Sequence, residues 1–382
     1  MKFTITKNSL EKAMAQIDAI VPGRDTQTLL SNVLLTVQDN VLRITASDME
    51  STVRISLDTE DSENGELICK AKKLSEIARQ IQSESVVFQA DIDEEAKESD
   101  DGTVYRIKLE GTGKLAAKFK MAGSDRSHFP EMNDIASELL STISADVLGE
   151  MISKTVYSIS QEDNRYIYNG LYFNSNEATF TIVGTDGRRL AAISRDLSEP
   201  IAMDEEVGDI VVHAKAVREL MKIIGESNDV LIGVDQRDIF FRVGNAELSS
   251  RLLEGKFPDY KKVIPPESDI KIDVSRDDLI NSLKQVMVMT EQPSYQVKLT
   301  ITSSALLFSA NTPEVGEAEI SIPVTVTTEE IQIGFNANYL MDILKSINGE
   351  KVLLKITDPA KPIVVEDLND SKFVALVMPM KI

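Results

Sequence analysis

Residues 180–193 read FTIVGTDGRRLAAI. Apolar and polar positions alternate up to Gly184, a Thr-Asp-Gly turn follows, and a second alternating run leaves it. Alternation of period two marks half-buried antiparallel strands. The same grammar recurs in LRITASDMESTVRI (42–55) and LLFSANTPEVGEAEI (306–320). Aligning the three stretches puts Asp48, Asp186 and Asn311 at one turn position, at intervals of 138 and 125 residues. Asp186 reads as an Asx-type turn former, with no catalytic part.

A segment of helical period precedes each hairpin. Leu10, Met14, Ile17 and Val21 step by four, three and four. Leu148, Met151, Ile152, Val156 and Ile159 do the same, as do Leu279, Leu283, Val286 and Met287 behind a capping box at Ser275–Asp278. A second helical segment follows each hairpin: AKKLSEIARQI (71–81), AKAVRELMKII (214–224) and NANYLMDILKSI (336–347), with Leu74, Val217 and Leu340 in matching places. HFPEM (128–132) and KFPDY (256–260) close the first two repeats. A period near 125 residues is the size of a whole domain rather than of a solenoid unit. The fold class is therefore α+β, with three tandem domains over 1–128, 129–266 and 267–382, each with two helices and antiparallel strands.

The charge of this 382-residue chain is −21, which argues against a simple binder of nucleic acid or anionic membrane if it is evenly spread. It is not evenly spread. The helical segments 7–21, 70–82, 144–160, 213–225, 275–289 and 337–348 together carry +4, which leaves −25 for the rest. Lys70, Lys72, Lys73 and Arg79 dominate one helix, and Lys215, Arg218 and Lys222 another. Such helices are either solvated faces or a local basic surface for a phosphate backbone inside an acidic protein. Exposed aromatic clusters of the kind that stack single strands are missing except at RYIY (165–168), so the implied contact is with duplex backbone, without base readout.

No run of about 18 apolar residues suggests a membrane span. The start, MKFTITKNSLEKAM, lacks an apolar signal core and reads as the beginning of a folded domain. One cysteine, Cys69, suits a reducing cytoplasm. The two histidines, His128 and His213, fall in different repeats, so no Cys/His cluster is expected to hold zinc and no Cys–His or Ser–His site is expected. Phosphate-loop and dinucleotide patterns are missing. DIDEEAKESDDG (91–102), with seven acids and one lysine, lacks the glycine and final glutamate spacing of an EF-hand and reads as an acidic hairpin tip between VVFQA and YRIKL. The expectation is a non-enzymatic protein with no cofactor and no metal. The residues alone leave open an acidic three-domain interaction scaffold with no DNA role.

TDGRRLA (185–191), SRLLEGKFPDYKKVIP (250–265), GFNANYLMDIL (334–344) and the terminal VMPMKI (377–382) resemble the bacterial DNA polymerase III beta subunits, the sliding clamps. The resemblance covers the whole chain, including MKFTI and the three-repeat layout. It implies a DNA-clamp domain repeated three times, a head-to-tail homodimer forming a six-domain ring, and duplex DNA held topologically inside it. It implies a processivity factor of replication that tethers the replicative polymerase's catalytic subunit, the clamp loader, and mismatch-repair and translesion proteins through a peptide groove. Carried over, the groove comprises Tyr168, Thr185, Gly187, Arg188, Arg189, Leu190, Pro258, Lys262, Val263, Asn336, Tyr339, Pro362, Val377, Met378, Pro379, Met380 and Ile382. Apolar side chains suit a peptide's Leu/Phe anchors, and methionine adapts to varied partners. Tyr168 stands where many members carry an aliphatic residue, Arg188 where some carry His, and Lys262 where Arg is frequent. The resemblance aligns Phe119 and Met121, on an edge strand, with Val288 and Met289, on a domain-three helix, at the ring interface. DNA-contact candidates are Arg24, Arg165 and Tyr166 from the resemblance, and Lys72, Lys73, Arg79, Lys215, Arg218 and Lys222 from helix placement.

Overall fold

One order of elements is spelled out three times along the chain. The computed structural model describes residues 1–18, 21, 30–93, 103–113, 117–127, 129, 140–162, 166–201, 209–225, 228–235, 237–313 and 315–382. The first repeat runs β1 (Lys2–Thr6), α1 (Lys7–Ile17), β2 (Asn32–Gln38), β3 (Val41–Ser47), β4 (Ser51–Asp58), β5 (Glu60–Glu63), β6 (Gly65–Lys70), α2 (Ala71–Gln80), β7 (Ser85–Ile92), β8 (Val104–Gly111) and β9 (Lys118–Ser124). The second runs β10 (Ser141–Ser144), α3 (Ala145–Ser153), β11 (Gly170–Asn176), β12 (Thr179–Thr185), β13 (Arg189–Asp196), β14 (Ile210–His213), α4 (Ala214–Ile224), β15 (Asp229–Asp235), β16 (Asp238–Val243) and β17 (Ala246–Arg251). The third runs β18 (Ile270–Ser275), α5 (Arg276–Val286), β19 (Gln296–Ile301), β20 (Ala305–Thr312), β21 (Gly316–Pro323), β22 (Ile331–Asn336), α6 (Ala337–Ser346), β23 (Lys351–Ile356), β24 (Ile363–Asp367) and β25 (Asp370–Val377). Among the described residues, the first repeat differs from the others by the short extra strand β5.

Local chemistry accounts for the helix limits. Thr6, Ser275 and Asn336 cap α1, α5 and α6, each side chain accepting a backbone N–H of the first turn. The period in the sequence carries α1 on to Val21, but the helix ends at Ile17, and Asp18 turns its carboxylate to Ser75 and Arg79 of α2. The third periodic segment likewise stops at Ser153, short of Val156 and Ile159. There the Thr155 hydroxyl donates to the Met151 and Ile152 carbonyls, and a 3-10 turn, Val156–Ser158, replaces the helix. Leu74, Val217 and Leu340 are all buried at the fourth position of their helices.

Two compact units result, one built around residues 1–145 and 218–252, the other around 146–201 and 253–382, and the division passes through α4. In the first unit 13 strands among the described residues form one sheet, in the order β10-β15-β16-β17-β4-β3-β2-β6-β9-β8-β7-β1-β5. Strand β17 of the second repeat pairs antiparallel with β4 of the first, Ser250 opposite Ser51. The helices α1 and α2 pack together on this unit. The acidic stretch does join the ends of a hairpin, with Ile92 opposite Tyr105; residues 94–102 lie outside the described residues.

In the second unit eight strands follow the order β14-β11-β12-β13-β25-β24-β23-β18, and four more the order β21-β20-β19-β22. Here β25 of the third repeat pairs with β13 of the second, Val377 opposite Arg189. The joint repeats the first one residue for residue: Arg251 N–H donates to the Glu50 carbonyl at 2.9 Å, and Met378 N–H to the Arg188 carbonyl at 2.8 Å.

One alignment from the sequence needs correcting. Asp48 and Asp186 sit at the first turn position after their strands, but Asn311 lies inside β20, opposite Glu317. The third hairpin extends to a Thr312–Gly316 pair, with Pro313 opening the turn. Proline has no N–H for the ladder, and Gly316 supplies the left-handed backbone, at φ 135°, on the far side.

Candidate functional site

The turn between β12 and β13 is fixed by its own side chains. Asp186 Oδ1 accepts the Arg188 N–H at 2.8 Å and the Arg189 N–H at 2.9 Å. Thr185 Oγ1 accepts the Gly187 N–H and donates to the Arg189 carbonyl. Gly187 takes φ 81°, the left-handed region that a side chain resists. The turn therefore holds Arg188 and Arg189 at a set height against β25. Beyond β25 the chain crosses to β22, where Met380 N–H donates to the Gly334 carbonyl at 2.7 Å and Gln296 Nε2 to the Lys381 carbonyl at 2.8 Å. A Cβ on Gly334 would lie 2.8 Å from the Met380 carbonyl oxygen, so only glycine admits the tail here.

An apolar bed lies beneath turn and tail. Val183, Leu190, Ala192, Val211, Leu253, Phe257, Val364 and Leu376 form a buried cluster, and half-buried Ile167, Tyr168, Tyr172, Tyr260, Ile264, Val374 and Met378 pack on it. Tyr172 stacks on Phe257 at 4.8 Å, and Tyr168 meets Phe257 edge-on at 6.4 Å. Burial raises the Tyr172 phenol above its ordinary pKa, and the Asp209 charge adds to the rise. Burial likewise raises Tyr260. Both phenols thus stay neutral at physiological pH, which suits an apolar ligand.

The residues singled out from sequence distribute around this bed. Tyr168, Leu190 and Met378 meet in the cluster, Arg188, Arg189 and Val377 along the β13–β25 joint, and Thr185 and Gly187 in the turn that leads into it. Pro258, Lys262 and Val263 follow Phe257, the last two in the 3-10 turn Tyr260–Val263, and all three are exposed. Asn336 and Tyr339 open α6, Pro362 is buried just before β24, and Pro379, Met380 and exposed Ile382 follow β25. Leu190 belongs to the buried cluster, whereas Val263 is no core residue. The sequence reading missed Phe257, Tyr172, Tyr260, Val364 and Leu376. Phe257 and Tyr260 were within reach, because KFPDY had already stood out as a recurring motif.

The two arginines play different parts. Arg189 has 11% of its side chain exposed, with Nε 3.1 Å from Asp186 and Nη1 2.6 Å from Asp342. Its guanidinium lies 4.6 Å from the Tyr339 ring centroid and 5.8 Å from that of Tyr157. Its charge is spoken for. Arg188 is 57% exposed and 3.5 Å from Glu162, and a hydrogen bond with Tyr339 heads the causes that raise its pKa.

Of the basic helix residues, Lys72, Lys73, Arg79, Arg218 and Lys222 are exposed and Lys215 half-buried. Lys73 pairs with Glu76, Arg79 with Asp18, and Lys222 with Glu219. Tyr166 is exposed in the 3-10 turn Tyr166–Tyr168. Arg24, Arg165 and His128 lie outside the described residues.

Two statements about the expected interface change. Strand β9 is not a sheet edge throughout, because Gly123 and Ser124 pair with β6; from Lys118 to Ala122 only the β8 side is paired among the described residues. Val288 and Met289 do not lie on the α-helix but in the 3-10 turn Met287–Met289 that continues α5. The Thr312 hydroxyl donates to the Met289 carbonyl, which pins this turn to the β20–β21 hairpin and leaves Val288 70% exposed.

Burial pushes the Cys69 thiol up to about 12, so it is inert. Among the described residues no group of three His, Cys, Asp or Glu is placed to hold a metal ion, and no helix is long and apolar enough to cross a membrane.

Three repeated two-helix domains joined by strand pairing define the class of DNA clamps. The chain matches the N-terminal, central and C-terminal domains of the DNA polymerase III beta subunit over residues 1–133, 142–259 and 261–381. It belongs to that family, the bacterial beta sliding clamps. The beta sliding clamp of Chlamydia muridarum is 30% identical over 382 residues, covering 100% of this chain and 99% of the relative. That of Escherichia coli K12 is 29% identical over 389 residues, covering 100% of both. Among solved structures, the Pseudomonas aeruginosa subunit superposes with a TM-score of 0.90 at 28% identity over 100% of both chains. The same organism's clamp bound to griselimycin gives 0.89 at 28% identity, again over 100% of both chains. The protein is accordingly a non-catalytic processivity factor of DNA polymerase III.

Proposed function

We propose that two copies of this chain close head-to-tail into a six-domain ring around duplex DNA in the cytoplasm. In this reading the domains span 1–128, 129–266 and 267–382. The support is a count of joints. Within the chain, β4 of the first repeat takes β17 of the second, and β13 of the second takes β25 of the third. By the same rule β21 of the third repeat calls for the last strand of a first repeat, which is β9. Among the described residues, strand β21 ends its four-stranded sheet with no outer neighbour, and β9 keeps an open side from Lys118 to Ala122. Lys118 and Lys120 alternate with Phe119 and Met121 on β9, and Glu317 and Glu319 on β21 carry the opposite charge. Exposed Val288, with Met289, flanks β21 as the apolar counterpart. Unpaired edges of this length are a liability unless covered, and head-to-tail pairing that closes yields a ring.

Inside such a ring Arg24, Arg165, Tyr166, Lys72, Lys73, Arg79, Lys215, Arg218 and Lys222 are the candidates for backbone contact. Several already hold intramolecular partners, so each contact is weak and exchangeable, as sliding requires. The groove takes short peptides of the replicative polymerase's catalytic subunit, the clamp loader, and mismatch-repair and translesion proteins, their Leu/Phe anchors entering the bed around Leu190, Phe257 and Met378.

Fluorescence anisotropy of a labelled Gln-Leu-x-Leu-Phe peptide tests the groove, using the full chain and a chain ending at Val377. Saturable binding by the first and none by the second is expected. A folded full chain that fails to bind overturns the groove reading.

A further inference from the structure

Arg189 would be an obvious peptide contact by its position, yet its guanidinium is held at Nε and Nη1 and faced by two rings. Asp186, from its own turn, holds Nε; Asp342, from the third repeat and 153 residues away, holds Nη1 at 2.6 Å. One ring, Tyr339, is 4.6 Å from it, and a second, Tyr157, 5.8 Å. Asp342 lies one helical turn along α6 from Tyr339, so both present themselves on the same face of that helix. Asn336 caps the same helix, its side-chain oxygen accepting the Asn338 N–H at 2.9 Å. The turn that carries Thr185 to Arg188 is in turn bonded through Asp186 to Arg189. A continuous chain of contacts therefore runs from the second-repeat turn, through Arg189, to the third-repeat helix.

We propose that Asp342 is a positioning residue for the peptide groove: it holds Arg189 flat against Tyr339, so that the Thr185–Arg188 turn and the start of α6 form one preassembled wall. The inference rests on the groove reading above. Asp342 and Arg189 do not meet the peptide in this arrangement; the exposed cations of the groove are Arg188 and Lys262. A fork of guanidinium donors between two carboxylates fixes direction as well as distance, which a lone charge does not. Without Asp342 the wall remains but populates other arrangements, and a peptide binds only the fraction that is assembled.

The test is stopped-flow association and dissociation of the labelled peptide on the full chain and on Asp342→Ala, Asp342→Asn and Asp342→Glu, with thermal melts of each. A loss of preassembly lowers the association rate constant of Asp342→Ala by about five- to tenfold, with dissociation unchanged within twofold. Asp342→Asn behaves like Asp342→Ala, Asp342→Glu recovers most of the rate, and the melts stay close to the parent. Faster dissociation at an unchanged association rate overturns the inference, because it makes Asp342 a peptide contact. So does a loss that follows the melting temperature across the three variants. Unaltered kinetics with a binding parent chain overturn this inference alone; a parent that binds no peptide overturns the groove reading with it.

Discussion

The side chain of Lys154 has 5% exposure, and its ammonium lies 2.8 Å from Asp370 and 3.1 Å from Glu150, with the Phe373 ring centroid at 5.2 Å. Arg195 completes the cluster at 2.7 Å from Asp370. This cluster joins the end of α3 and β13 of the second repeat to the start of β25 in the third. Burial works to raise the Asp370 carboxyl, but hydrogen bonds from Arg195 and Lys154, and their charges, hold it below the usual range. A lowered folded pKa stabilises the protein above the ordinary carboxylate value, near about pH 4, and that contribution is lost as pH falls through the folded value. Asp370→Asn is expected to flatten the acid limb of a stability-against-pH curve measured with urea. At pH 7 it should cost on the order of 2–3 kcal/mol, because Lys154 and Arg195 lose a buried counter-charge.

At the scale of elements, much was legible. The six helices of the described residues begin where the apolar period put them, though α1, α3 and α5 end early, and two of the three turn positions align. Ser275 caps α5 as its pattern implied, accepting the Asp278 N–H at 3.2 Å. Ser275→Ala should cost about 1 kcal/mol in chemical denaturation, with little change in peptide binding. The misreadings have local causes. Period alone cannot see Thr155 competing for helix carbonyls, or Pro313 moving a turn outward by two residues. Nor can it see that Met49 takes φ 76° where the equivalent turn has Gly187 at 81°. The proposed groove comes from the resemblance alone. Its bed gathers Leu190, Phe257 and Leu376, which belong to three separate stretches of chain, and the Arg189–Asp342 pair has no local signal at all.

At the scale of the molecule, the family's role is the conclusion that fold and comparisons carry together, and the ring is the reading that follows from counting joints. Val288→Asp, at an exposed position on a surface turn, should leave the melt unchanged and shift sedimentation from dimer to monomer. The same variant should lose retention on circular duplex DNA while the peptide groove still binds. A dimer that persists in this variant sets the turn outside the interface.

The internal joints are made by backbone, Arg251 to Glu50 and Met378 to Arg188, in one register. Amide groups are the same in every residue, so such a seam survives wide drift in sequence. The corollary concerns cells that encode two diverged homologues. Main-chain geometry alone would let the seams of one accept the other, and the discrimination between self and near-self falls to the few side chains flanking each open edge, here Lys118 and Lys120 against Glu317 and Glu319.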